Sequence, residues 1–136
     1  MSKSLYVLDS YALLAYLNAE AGQERVSEVL KQAQAGKCRA LLCTINLGEV
    51  LYTVERRRGL PHAQRTQALL ESLPIKEIEA ERSLVLDAAH LKAHHPISYA
   101  DAFAAALAAR ESAVVLTGDP EFEAVQDLVE VGWLGR

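Results

Sequence analysis

One segment, residues 96–122 (PISYADAFAAALAARESAVVLTGDPEF), constrains the fold more than any other part of the chain. Residues 103–109 form a predicted helix with no polar side, so other structure must enclose it. A short apolar strand is predicted after it, at 113–117. One acid lies at each turn of this segment, Asp101 in the first helical turn and Asp119 just past the strand. Both carboxylates are therefore predicted beside buried elements, where a charge requires a compensating interaction.

Length and composition favour one α/β domain. The chain of 136 residues is long enough for a single core, and we expect one domain over residues 1–136. Apolar residues make up 51% of the chain and aromatic residues only 6%, while Ala is abundant. This composition suits close helix packing better than a sandwich of strands.

Short apolar runs alternate with amphipathic stretches along the chain. Strands are predicted at 4–8, 39–43, 75–78, 113–117 and 129–131, with helices between them and a further helix over 121–128. Such alternation requires crossover connections between parallel strands. The predicted fold is a three-layer α/β/α domain, in which helices flank a short, mostly parallel sheet.

Charge and hydropathy exclude several classes of protein. The net charge of −4 argues against a protein that binds nucleic acid by bulk attraction. No apolar stretch approaches the ~18 residues of a membrane span, and Asp9 interrupts the N-terminal apolar run. We therefore expect a cytoplasmic protein without a membrane partner. Cys38 and Cys43 flank a predicted strand, and a separation of ~16 Å along extended chain is too long for a disulfide.

Four acidic residues are predicted at one edge of the sheet. Asp9 follows the first strand and Asp119 follows the fourth, while the helices that carry Glu49 and Asp101 each begin near the end of a strand. The carboxyl ends of parallel strands share one edge, and α/β sheets bind their ligands there. The four carboxylates should therefore converge.

Each acid also has a structural explanation. Asp119 precedes a proline and could cap a helix, Ser98 and Asp101 fit the capping-box pattern, and Asp9 could cap the first helix. Glu49 fits a structural role least well, because its neighbours are apolar. For each single acid, both the capping and the ligand interpretations stay open.

Taken together, the four acids indicate a bound cation. Crowded carboxylates raise one another's pKa values, which is tolerable mainly where a divalent cation binds. Oxygen ligands without a Cys or His cluster favour Mg²⁺ or Mn²⁺. Such ions activate water and stabilise the charge that develops on a phosphodiester under attack.

The stretches VLDSYALLAYL, TINLGEVLY, ISYADAFAAALA and VVLTGDPEF carry these acids. Their order and spacing resemble the four acidic motifs of PIN-domain ribonucleases, and the size of the chain resembles the VapC toxins of toxin–antitoxin pairs. The similarity covers nearly the whole chain. It implies a Mg²⁺- or Mn²⁺-dependent endoribonuclease. The residues implied are the metal-binding, catalytic acids Asp9, Glu49, Asp101 and Asp119 and the supporting hydroxyls of Ser10 and Thr117.

The resemblance also implies partners. These are an RNA substrate, a second copy of the chain in a homodimer, and a small VapB-like antitoxin whose tail would lie over the site in a groove between helices. Pro120 and Glu121 depart from the family pattern, because many relatives carry a basic residue after the fourth acid. Arg56, Arg57 and Arg58 either complement the dipole of their helix or contact the RNA backbone.

Two other functions fit the same residues. A PIN nuclease without an antitoxin would act in RNA maturation or decay. A non-catalytic PIN-like module would use the fold to bind protein or RNA, although the presence of all four acids argues against it.

Overall fold

A computed structural model describes residues 4–135, in which five strands form one sheet with helices on both faces. The elements in chain order are β1 (Ser4–Leu8), α1 (Ser10–Leu17), α2 (Gln23–Gln34), β2 (Cys38–Cys43), α3 (Thr44–Arg58), α4 (Leu60–Ser72), β3 (Ile75–Ile78), α5 (Arg82–His94), α6 (Tyr99–Glu111), β4 (Val114–Thr117), a 3₁₀ helix (Pro120–Val125) and β5 (Glu130–Trp133). The predicted α/β fold with a parallel sheet flanked by helices is confirmed.

The strand order is β3-β2-β1-β4-β5, and all four pairings are parallel. The chain begins at the centre of the sheet, adds β2 and β3 on one side, and then returns to add β4 and β5 on the other. The direction of winding therefore reverses between β1 and β4. In an open α/β sheet this reversal leaves a crevice at the carboxyl ends of the two strands, where ligands bind.

Successive strand residues point to opposite faces and belong to two separate cores. Val7 and Val115 pack with α5, α6 and the 3₁₀ helix. Leu8 and Leu116 pack on the other face with the first four helices. Together, the two cores hold the sheet between layers of helix.

Helix α6 is enclosed on every side over residues 102–108, as its sequence predicts, whereas Ala109 at the end of the predicted segment is exposed. Its residues 102–108 are each no more than 3% exposed. Ser98 caps the helix at its beginning, and Ser112, with a left-handed φ of 53°, ends it. Across residues 4–135, no helix is both long and apolar enough to span a bilayer.

The helix predicted over 121–128 is present in part. Residues Pro120–Val125 form a 3₁₀ helix, and turns lead from it to β5. Phe122 and Val125 are both fully buried, and a helix of three residues per turn aligns them on one face toward the core. The last strand lies at Glu130–Trp133, slightly later than predicted.

Replacement of Ala104 with Leu should lower the free energy of unfolding by about 1–3 kcal/mol, because Ala104 is fully buried and overpacking strains a dense core. Ala109→Leu adds the same side chain at an exposed position of α6 and serves as the matched control. The control should change the free energy by less than ~0.5 kcal/mol. Urea denaturation measures both values, and equal effects would contradict the enclosure of α6.

Candidate active site

The crevice between β1 and β4 brings two of the predicted acids together. Asp9 directly follows β1, and Asp119 lies two residues after β4. The two strands are neighbours, with Leu8 paired with Leu116. The carboxylates therefore lie at the same edge of the sheet, at the point where the winding reverses.

Asp9 is fully buried at this edge. Its Oδ1 accepts a hydrogen bond from the Ala12 N–H at 2.8 Å and caps α1. Its Oδ2 is buried and has no hydrogen-bond partner among the described residues. Burial raises the pKa of Asp9 to about 7. The charges of Asp119 and Glu49 contribute to the increase, and the Thr117 hydroxyl and the Ala12 N–H oppose it.

Asp101 is the third residue of α6 and is only 4% exposed. Its backbone N–H donates to the Ser98 hydroxyl at 3.1 Å, so Ser98 caps the helix as predicted. Burial raises the pKa of the Asp101 carboxyl well above its ordinary value, and the adjacent carboxylates of Asp119 and Glu121 raise it further. At neutral pH, Asp101 therefore holds a proton unless a cation takes its place.

Asp119 caps the 3₁₀ helix with one carboxylate oxygen. Its Oδ1 accepts from the Glu121 N–H at 2.9 Å, and its own N–H donates to the Thr117 hydroxyl at 3.0 Å. Capping and clustering are thus compatible, because a carboxylate has two oxygens. For Asp9 and Asp119, the two interpretations of the sequence are therefore compatible, whereas the Asp101 carboxylate does not make the capping-box bond to the Ser98 N–H.

Three carboxylates form a compact group. One oxygen each from Asp101, Asp119 and Glu121 lies within 4.8 Å of the others, so that these residues could hold a metal ion. Asp9 adjoins this group through its electrostatic interaction with Asp101 and Asp119. The chemistry of the donors and the unpartnered Oδ2 of Asp9 both fit a hard divalent cation.

Glu49 lies at the side of this group rather than within it. It is half-buried on α3, and its Oε1 accepts from the Ser10 hydroxyl at 2.6 Å. Glu49 is close enough to Asp9 to raise the pKa of that residue. The Ser10 hydroxyl therefore contacts the carboxylate of Glu49, whereas the Thr117 hydroxyl accepts from the backbone N–H of Asp119 and lowers the pKa of Asp9.

Two residues at the site were not selected from the sequence. Glu121 belongs to the carboxylate group, and its position two residues after Asp119 is the feature of the sequence that could have indicated this. Asn46 is fully buried on α3, where its Nδ2 donates to the carbonyl of Ala100 at 3.1 Å and its Oδ1 has no partner among the described residues. Asn46 joins α3 to the beginning of α6, but no sequence pattern marks it.

Gly118 allows an aromatic ring to approach the site closely. A Cβ atom at this position would lie 2.3 Å from Cε1 of Tyr11, a distance that atoms do not tolerate. Tyr11 remains 39% exposed while its ring packs on this glycine. The backbone between Thr117 and Asp119 is therefore covered by an aromatic side chain that solvent also reaches.

The predicted basic residues lie away from the acids. Arg56, Arg57 and Arg58 are exposed at the end of α3, and Arg56 lies over the ring of Tyr52, 4.8 Å from its centroid. At 1.5 Å per residue, Arg57 is ~12 Å along the helix axis from Glu49. These arginines therefore do not belong to the carboxylate group.

Comparison with known proteins agrees with this geometry. The fold is similar to that of VapBC2 from Rickettsia felis bound to a DNA fragment from its promoter, at 17% identity and a TM-score of 0.76, covering 96% of this chain and 98% of that one. It is also similar to VapC20 from Mycobacterium tuberculosis, a toxin that cleaves the sarcin–ricin loop. There the identity is 22%, the TM-score is 0.69, and the coverage is 90% and 95% of the two chains.

A third similar structure is the DNA-bound VapBC of Salmonella typhimurium, at 20% identity and a TM-score of 0.68, covering 97% and 98% of the two chains. At these identities, the similarity establishes the fold alone. No curated protein sequence shows significant similarity to the chain. Residues 6–128 match the family model of the PIN domain. With that match over most of its length, and with the fold of VapC toxins, the chain belongs to the PIN-domain family.

Proposed function

We propose that this protein is a metal-dependent endoribonuclease and the toxin component of a type II toxin–antitoxin pair. The observation that carries the proposal is the group of carboxylates at the crevice, among which Asp9 and Asp101 are buried and Asp9 Oδ2 is unpartnered within residues 4–135. No Lys or Arg is among the residues that contribute most to the pKa shifts of Asp9 and Asp101. Burial of neighbouring acids is costly, and a divalent cation would offset that cost.

The chain's own residues hold the proposed ligands in place. Asp9, Glu49, Asp101 and Asp119 are the proposed metal-binding and catalytic acids. When bound, Mg²⁺ or Mn²⁺ lowers the pKa of water and stabilises negative charge on the phosphodiester. The Ser10 hydroxyl orients Glu49, and the caps on α1 and the 3₁₀ helix fix one oxygen of Asp9 and one of Asp119. Such preorganisation reduces the entropy lost when substrate binds.

A groove between α1, α3 and α4 supports the proposed antitoxin partner. Its volume is about 400 Å³. An amphipathic helix could place its apolar side on the apolar residues of this groove and its acidic side chains beside the basic residues. The VapBC assemblies of similar fold also favour such a partner. The apolar residues of the groove include Leu14, Leu17, Val54 and Leu69, and the basic residues are Arg57, Arg58, His62 and Arg65.

Purified protein should cleave single-stranded or loop RNA only when Mg²⁺ or Mn²⁺ is present. Asp9→Asn and Asp101→Asn should each lower the cleavage rate at least ~100-fold, because loss of a charged ligand misplaces the cation and the water that it activates. Asp127→Asn changes the charge equally at an exposed position and is the control. Cleavage in excess EDTA, or full activity of either site variant, would contradict the proposal.

The stability of the metal-free protein should fall as pH rises from about 6 to 9. Folding raises the pKa values of Asp9 and Asp101, so the folded state holds protons that the unfolded state has already released. This stabilising contribution is complete below the unfolded pKa near 4 and is lost as pH rises through each folded pKa. While Asp9 or Asp101 holds its proton, each contributes a slope of up to about 1.4 kcal/mol per pH unit.

Urea denaturation at fixed temperature, repeated from pH 6 to 9, measures this slope. Asp9→Asn should flatten the dependence on pH, because the amide does not titrate. Saturating Mn²⁺ should stabilise the wild-type protein most at high pH, since metal and protons compete for the same oxygens. A flat wild-type curve that Mn²⁺ does not shift would show that the acids do not form a coupled, metal-binding group.

Exposed apolar residues on α3 support the proposed homodimer. Ile45 and Tyr52 are seven residues apart on one helix face and are 37% and 50% exposed, and the space beside Gly48 between them is open. A contact between two copies of this face would bury apolar surface.

Sedimentation equilibrium of the wild-type protein, at about tens of micromolar, should therefore give the molecular mass of a dimer. Ile45→Lys should shift the mass toward the monomer, because the dimer would bury an unpaired charge. Leu60→Lys, at a residue 52% exposed on α4, should leave the dimer intact. A monomeric wild-type protein would contradict the dimer.

A further inference from the structure

We propose that Glu121 is a positioning residue for the carboxylate group: it takes the place of Asp101 in the cap of α6 and thereby frees the Asp101 carboxylate for the cation. This inference rests on the proposed metal-dependent function. It assigns Glu121 a role that differs from direct metal binding, although one oxygen of Glu121 lies in the compact group.

The cap of α6 contains only half of a capping box. In the complete motif, the N-cap hydroxyl accepts from the N–H three residues later, and the acid at that position accepts from the N-cap N–H. Ser98 and Asp101 form the first bond, at 3.1 Å. The second bond is made by another residue, because the Ser98 N–H donates to Oε1 of Glu121 at 2.7 Å.

This exchange of partners leaves the Asp101 carboxylate available. Asp101 is 4% exposed, and its carboxyl lies beside the carboxylates of Asp119 and Glu121. If its carboxylate closed the capping box, it would turn toward the Ser98 N–H and away from the crevice. Because Glu121 accepts the hydrogen bond from the Ser98 N–H, this donor no longer competes with a cation for the Asp101 carboxylate.

Glu121 also fixes the distance between the two halves of the site. Its backbone N–H donates to Asp119 Oδ1 at 2.9 Å, and its side chain accepts from the N-cap of the helix that carries Asp101. One residue therefore connects the turn after β4 to the beginning of α6. Asp101 and Asp119 are held at a fixed separation through this connection.

Substitutions of Glu121 distinguish the positioning role from a purely structural role and from a role as a metal ligand. If Glu121 only capped α6, its loss would destabilise the protein and would leave metal affinity unchanged in the folded state. If Glu121 were a ligand, loss of its charge would weaken binding even when its hydrogen bond remained. Glu121→Gln keeps an acceptor oxygen and removes the charge, whereas Glu121→Ala removes both.

The experiment measures Mn²⁺ affinity by isothermal titration calorimetry and the exchange rate of the Ser98 amide by NMR, under conditions where each variant is folded. Glu121→Ala should weaken Mn²⁺ binding ~10-fold or more, as losses of residues that orient metal ligands do. It should also speed exchange of the Ser98 amide. Glu121→Gln should retain affinity within ~3-fold, because the charge that it removes is exposed. Its Ser98 amide should stay protected.

Asp127→Ala, which removes one exposed negative charge beyond the 3₁₀ helix, is the matched control and should bind Mn²⁺ as the wild type does. Equal weakening by Glu121→Gln and Glu121→Ala would identify a ligand and overturn the positioning role. Wild-type affinity in both variants would overturn it as well. Failure of the wild-type protein itself to bind Mn²⁺ would instead overturn the proposed function.

Discussion

Burial of neighbouring carboxyl groups is the constraint on which the rest of this structure depends. Asp9 and Asp101 are almost completely buried, and Asp119 lies within reach of both. Two enclosing cores and three helix caps hold these acids side by side despite the cost of burying them. The enclosed α6 is central to this arrangement, because its rigidity determines where the Asp101 carboxylate lies.

The sequence predicted the elements well because local patterns determine them. The apolar segment over residues 103–109 required enclosure, and α6 is enclosed over residues 102–108. Five short apolar runs indicated five strands, and these form a parallel sheet. The order of the strands was not predictable, since it depends on which helix faces pack together over long sequence separations. The 3₁₀ helix at Pro120–Val125 was mistaken for a longer helix because burial of Phe122 and Val125 favours three residues per turn.

The sequence predicted that acids would meet at one edge of the sheet, but it did not predict the contacts that support them, and the role of these acids as ligands stays a prediction. Asp9 and Asp119 could be placed at one edge because the carboxyl ends of parallel strands share an edge. Glu121 could not be placed, because its contact with Ser98 joins residues 23 positions apart through a turn without a sequence signature. Asn46 was missed for the same reason, since its bond to Ala100 spans 54 positions. From the sequence, helix capping and metal binding were alternative roles for each acid. In the structure, Asp9 and Asp119 each use one carboxylate oxygen in a cap and leave the other available.

The strand order has a consequence for how the protein is made. β1 is synthesised first and lies at the centre of the sheet, but its neighbour β4 is synthesised after three other strands and six helices. Domains fold as units as the chain emerges during synthesis. Until the turn after β4 has emerged, Asp9 and Asp101 have no Asp119 beside them. A growing chain therefore lacks the complete carboxylate group, and the activity proposed for this site cannot begin before that turn is made.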